Sequence, residues 1–198
     1  MTIEEFILKQ ISNSVAVKKE VQADQVLQDK IRQAALLLVS AYLSGKKVLL
    51  AGNGGSAADA QHLAGEFVSR FYFDRPGIPA IALTTDTSIL TAIGNDYGFE
   101  RLFERQVQAQ GCPGDVFLGI STSGNSANII RALQYCNQAG IQTIGLTGAG
   151  GGKMKEWCTL CLEVPSFETP RIQEVHILIG HILCGIVEEK LFGKNLSN

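Results

Sequence analysis

The sequence predicts an α/β fold: a doubly wound, five-stranded, mostly parallel sheet flanked by helices, with a helical extension at the N-terminus. Three observations predict it. Short apolar runs recur at 48–51, 79–83, 115–120, 141–146 and 160–164, and they are too continuous for a sheet with one wet face. Helical segments separate them, so parallel crossovers are the expected connections. Polar turns follow the runs that end at Ala51 and Ile120, beyond the carboxyl ends of strands, where ligands bind on such sheets.

The elements follow in order. Residues 3–44 carry apolar side chains near helical spacing, from Ile3, Phe6, Ile7 and Ile11 to Ile31, Ala34, Leu38 and Tyr42, which predicts helix. A weaker patch near Gln22–Gln25 divides it into two, and Gly45 is the expected C-cap. Val48–Ala51 is the first strand, 52–56 a turn, and Ala57–Phe71 a helix. Pro79–Leu83 is the second strand, followed by a mixed helical stretch to about Gln110. Asp115–Ile120 is the third strand and Ala127–Ala139 a helix. Ile141–Leu146, a glycine-rich turn at Gly148–Gly152, Leu160–Val164 and a closing helix at Ile172–Leu191 complete the chain.

The composition sets bounds. A chain of 198 residues suits one domain, 1–198, with a substantial core. With 45% hydrophobic and 18% charged residues it is globular, not disordered. A net charge of −2 argues against a mainly electrostatic nucleic-acid partner. No apolar run reaches ~18 residues, so no membrane partner is expected. The start, Met1-Thr2-Ile3-Glu4-Glu5-Phe6, lacks a basic and then apolar leader, which points to the cytoplasm. Five scattered cysteines are poor material for a disulfide framework and suit a reducing compartment. Cys158-Thr-Leu-Cys161 is formally a CxxC; in a strand context with no second pair it reads as buried small hydrophobes rather than a redox or zinc motif.

Two turns can bind a ligand. Gly52-Asn53-Gly54-Gly55-Ser56 allows close backbone approach, and its spacing is not that of a dinucleotide fingerprint, so no nucleotide cofactor is expected. The second, Ser121-Thr122-Ser123-Gly124-Asn125-Ser126, offers four hydroxyls at the head of a helix. Hydroxyls and free N–H groups at a positive helix end suit an anion. The loop has no P-loop lysine, so a small phosphorylated ligand is favoured over a nucleotide.

The chain has three histidines, His62, His176 and His181. Glu66 lies four residues after His62, on the same helix face; the pair reads as a base and its neighbour, as two metal ligands, or as a surface contact. On the closing helix, His176 is ~140° round from His181, so the two cannot share a site. His181 sits among apolar residues, as a core histidine would, yet Gln173 lies two turns away on nearly the same face. Eight residues rise ~12 Å, so the two converge only by reaching toward each other or across a subunit boundary.

The motifs Ala51-Gly-Asn-Gly-Gly-Ser-Ala, Gln61-His-Leu-Ala-Gly-Glu66, Gly94-Asn-Asp96, Gly114–Ser126 and Arg171-Ile-Gln-Glu-Val-His176 with His181 together resemble the bacterial phosphoheptose isomerases, which are sugar isomerase (SIS) domain proteins. The resemblance covers nearly the whole chain. It implies conversion of sedoheptulose 7-phosphate to D-glycero-D-manno-heptose 7-phosphate. It also implies a homotetramer, with residues 1–45 contributing to the oligomer and active sites at subunit interfaces. It assigns one zinc ion per subunit to His62, Glu66, Gln173 and His181. Substrate contacts fall on Asn53, Gly54, Gly55, Glu66, Asn95, Asp96, Ser121, Thr122, Ser123, Ser126 and Gln173. Aldose–ketose isomerisation needs a base for a carbon-bound proton and an acid for the oxygens; Glu66 is the expected base and His181 the expected acid. A carboxylate tied to a metal is a poorer base, so either Glu66 keeps one free oxygen or the metal is structural. The alternative is a non-catalytic sister group of the same fold that binds the replication initiator DnaA, in which the acid–base side chains at the positions of Glu66 and His181 are lost.

Overall fold

The computed structural model describes residues 1–193; the last five residues of the expected domain lie outside them. Strands β1 (Val48–Gly52), β2 (Ala80–Ala82), β3 (Val116–Ile120), β4 (Gln142–Thr147) and β5 (Leu160–Glu163) form one sheet in the order β2-β1-β3-β4-β5. Every neighbouring pair is parallel. The helices are α1 (Ile3–Ala23), α2 (Gln25–Leu43), α3 (Gly55–Val68), α4 (Thr87–Tyr97), α5 (Leu102–Gln110), α6 (Ala127–Gln138) and α7 (Thr169–Phe192).

Strand side chains alternate between two buried faces, which explains the continuous apolar runs. Val48, Leu50, Val116 and Leu118 point toward α2, α3 and α7. Leu49, Ala51 and Phe117 point toward α5 and α6. The predicted break between the first two helices is at Asp24: its N–H bonds back to Glu20, and its carboxylate accepts from Leu27 N at 2.9 Å. Gly45 follows α2 and donates to the Tyr42 carbonyl.

The structure corrects three sequence-based boundaries. α3 ends at Val68, not Phe71. The cause is distant in sequence: the buried Glu188 carboxylate accepts from Phe71 N at 2.8 Å and Tyr72 N at 2.6 Å, pulling the chain out of helix. The mixed stretch to Gln110 divides into α4, a 3-10 turn at Phe99–Arg101 and α5. A second 3-10 helix, Gly152–Trp157, fills the gap before β5, where no element was expected.

β1 and β3 are adjacent, but the connections that leave them part. The chain after β1 goes to α3 on one face and returns as β2 at the edge; the chain after β3 goes to α6 on the other face and returns as β4. A crevice opens at such a switch point. Both polar turns found in the sequence flank it.

Candidate active site

The turn at 121–126 closes on itself. Ser121 and Ser126 share a hydrogen bond between their hydroxyls at 2.8 Å, and Ser123 Oγ accepts from Asn125 N at 3.1 Å. The turn after β4 grips it from behind. Gly148 N donates to Thr122 O at 3.0 Å, and Met154 N donates to Gly124 O at 2.9 Å. Gly124 cannot carry a side chain: a Cβ there would stand 2.1 Å from Gly151 O. Thr122 and Ser123 line a hollow of about 380 Å³ that Phe167 and Ile172 complete.

Helix starts around the crevice lack side-chain caps. The N-caps of α1, α2 and α4, which are Thr2, Asp24 and Asp86, each accept from their own first turn. α3, α6 and α7 start from Gly54, Ser126 and Glu168 with no side-chain cap bond. The Ser126 hydroxyl that could cap α6 is turned to Ser121. Donors at uncapped helix starts are left for water or a ligand.

The Asn53 side chain is held by a second amide. Its amide pairs reciprocally with that of Asn128, Nδ2 to Oδ1 at 3.0 Å and the reverse at 2.9 Å. This pair ties the β1 turn to the first turn of α6 across the crevice. Asn128 was not singled out in the sequence, because its partner is 75 residues away.

α3 and α7 lie side by side in parallel, and their facing stripes build the second half of the site. At the top, Gln173 lies over Gly55. Lower down, Leu63 packs on Gly180, where a Cβ would meet Leu63 Cδ2 at 2.5 Å. That close approach brings His62 Nε2 to 2.9 Å from His181 Nε2 and 3.4 Å from Glu66 Oε1. His62 is 49% exposed and Glu66 25%, so the cluster opens to solvent in the single chain. Below it, Arg75 clamps the end of α3 by donating to the carbonyls of Glu66, Phe67 and Ser69, and its Nε lies 3.0 Å from Glu188. Burial opposes ionisation of Glu188, but two backbone N–H groups and the Arg75 guanidinium outweigh it and hold the carboxyl below its ordinary value.

The structure brings together three of the four residues assigned to zinc. Gln173 stands at the level of Gly55, ~12 Å up the helix from His181. Among the described residues no three histidine, cysteine, aspartate or glutamate side chains stand in ligating geometry. The donor types still suit the ion. Two ligand atoms on a tetrahedral zinc are about 3.4 Å apart, so the ring nitrogens need only part slightly. Two Nε2 atoms in contact also require a proton or a cation between them. Asp59, one turn before His62, has a buried carboxylate oxygen with no hydrogen-bond partner. Burial raises its pKa, and the two histidines act to lower it. Asp59 was readable in the sequence from its i, i+3 spacing to His62.

His176 stays apart, as its helical angle required. It is fully buried, with Nε2 3.1 Å from Thr147 O. Asn95 and Asp96 bond to each other at 2.8 Å on the exposed surface of α4, and no bond joins them to the other candidates.

A model of the SIS domain matches residues 11–148. Phosphoheptose isomerase 2 of Campylobacter jejuni is 66% identical over 192 residues, covering 97% of this chain and 96% of that one. The phosphoheptose isomerase of Aneurinibacillus thermoaerophilus is 63% identical over 188 residues, covering 95% of each. The chain belongs to the phosphoheptose isomerase family of SIS domain proteins. Among solved structures, phosphoheptose isomerase GmhA from Neisseria gonorrhoeae superposes with a TM-score of 0.89 at 43% identity, covering 95% of this chain and all of that one. The chain is therefore an isomerase, and the alternative of a DnaA adaptor finds no support among its relatives. No helix among the described residues is long and apolar enough to cross a membrane.

Proposed function

We propose that this isomerase converts sedoheptulose 7-phosphate to D-glycero-D-manno-heptose 7-phosphate, the first step toward nucleotide-linked heptoses. The observation that carries this reading is the meeting of two helices at His62, which touches both Glu66 and His181, beside a crevice whose helix starts are uncapped. One end suits a phosphate; the other supplies an acid and a base.

Ser121, Thr122, Ser123 and Ser126, with the first N–H groups of α6, hold the phosphate. Asn53, Gly54 and Gly55 border the sugar chain, and Gln173 stands over them. Glu66 takes the carbon-bound proton, and the enediolate collapses with the proton returned to the neighbouring carbon. His181 passes a proton to or from the sugar oxygens. Binding energy from the remote phosphate fixes C1 and C2 against Glu66. A zinc ion held by His62, Glu66, Gln173 and His181 would polarise the sugar carbonyl.

The working form is a homotetramer in the cytoplasm, with sites completed across subunits. In support, α1 leaves Ile3 76%, Phe6 49%, Ile7 50% and Ile11 57% exposed on a single chain, an apolar surface of the kind that marks an interface. Asn95 and Asp96, exposed on α4 of the single chain, reach substrate from a neighbouring subunit in this arrangement. The test is incubation with sedoheptulose 7-phosphate and detection of the aldose product; absence of product from the metal-replete oligomer would sink the assignment.

A further inference from the structure

Cys158 and Cys161 take no part in the isomerisation, yet their surroundings are specific. Cys161 lies on β5 opposite Gly145 of β4. Gly145 presents no side chain, and a Cβ there would stand 2.5 Å from Cys158 Sγ. The glycine thus leaves the space in which Cys158 folds over β4 toward Cys161. Thr147 Oγ1 lies 3.6 Å from Cys161 Sγ on the same face. The Cys158 thiol and the Thr147 hydroxyl act as donors to Cys161 and favour its thiolate, against burial. Cys136 and Cys184 are pushed up to about 12 by burial instead.

Both cysteines are attached to the grip on the serine turn. Cys158 directly follows the 3-10 helix Gly152–Trp157. From that helix Met154 N holds Gly124 O at 2.9 Å, and Lys153 N holds Asn125 Oδ1 at 3.1 Å. Thr147, which contacts Cys161, directly precedes Gly148, whose N–H holds Thr122 O. Cys158 thus lies four and five residues from the Met154 and Lys153 N–H groups that hold the anion turn.

We propose that Cys158 and Cys161 form a reversible intramolecular disulfide whose formation loosens the serine turn and weakens binding of the phosphorylated substrate. The oxidant is a low-molecular-weight disulfide. One cysteine thiolate attacks it and expels its first thiol; the second cysteine attacks the mixed disulfide and expels the other. The Sγ–Sγ bond forms, the oxidant's S–S bond breaks, and both cysteine protons leave on the two released thiols. The coupling to substrate rests on the reading of 121–126 as the phosphate turn.

The experiment treats the oligomer with oxidised glutathione and maps its peptides by mass. The peptide holding both cysteines is expected to lose two hydrogens, and KM for the sugar phosphate to rise on the order of tenfold, a loss of about 1.4 kcal/mol in binding. A dithiol reductant reverses both, and Cys158→Ser and Cys158→Ala show neither. Failure of the disulfide to form overturns the proposal whatever the activity. A disulfide that leaves KM unchanged, in an enzyme where Ser123→Ala still raises KM, overturns the coupling and spares the phosphate reading. An unchanged KM in Ser123→Ala removes that reading and the coupling with it.

Discussion

The two histidines of α7 are five residues apart on one helix and have nothing else in common. His176 faces the sheet, fully buried, and bonds to a strand carbonyl. His181 faces α3 and meets another imidazole at 2.9 Å. The sheet side of α7 is a stability surface, because its neighbours are apolar and its polar group is satisfied once. The α3 side is a chemical surface, because its polar groups, His62, Glu66 and His181, gather beside one another where solvent reaches them. Position around the helix separates the two roles. The sharpest test of the contrast is to break each side and ask which property is lost.

The largest effect is expected on the α3 side. Glu66→Gln and His181→Ala should each lower kcat by about 10²–10⁴, while thermal unfolding and oligomer size stay near wild type. Full activity in both would remove the acid–base assignment. Loss of fold in both would place His181 with His176 as a structural residue.

Glu188 lies seven residues beyond His181, on the same stripe, yet its side chain is only 1% exposed. Glu188→Ala strands the Arg75 guanidinium and two backbone N–H groups in the interior. Removing one partner of a buried pair costs about 3–5 kcal/mol, so the urea midpoint should fall sharply. A loss under about 1 kcal/mol would mean that water reaches the pair freely. The chemical surface therefore ends between His181 and Glu188, where exposure gives way to burial.

Much of this division was legible in the sequence. The angle between His176 and His181 follows from helix geometry alone, and so does the shared face of His62 and Glu66. The serine turn was legible because its hydroxyls, its strand and its helix are contiguous. What the sequence hid depends on partners far along the chain. The partner that orients the Asn53 amide was hidden because Asn128 is 75 residues on. The end of α3 was misplaced because the group that unwinds it, Glu188, is 117 residues from Phe71. Gln173 fitted the stripe with His181, but only coordinates place it against Gly55. The grip on the serine turn is made by backbone atoms of 148–154, and backbone contacts leave no mark beyond a run of glycines.

The sheet side carries its own signature in pH. Burial pushes His176 from 6.5 down to about 4. Above pH 6.5 the side chain is neutral in both states. As pH falls through 6.5 the unfolded chain takes a proton that the folded chain refuses until about pH 4, so stability drops across that window. The full loss is about 3 kcal/mol. His176→Gln should be less stable than wild type at pH 7, with the gap closing toward pH 4.5 in urea titrations. A gap independent of pH would mean that His176 titrates normally, through water reaching its unpaired Nδ1.

The smallest expected change in stability is the most discriminating for the α3 side. Gly55→Ala places a Cβ 2.5 Å from Gln173 Nε2, but that atom ends a flexible side chain and can swing away. Helix propensity favours alanine by ~0.5–1 kcal/mol, so the melting temperature should hardly move. Gln173, however, loses its position over the start of α3. If it serves the site, KM for the sugar phosphate or the affinity for zinc should worsen several-fold, matching Gln173→Ala. If Gln173→Ala is itself silent, the working part of α7 begins at His181, and the upper turns of the helix only border the crevice. A protein that keeps its fold and loses its substrate in response to one methyl group would locate the chemical surface on α7 from the top of the groove to His181.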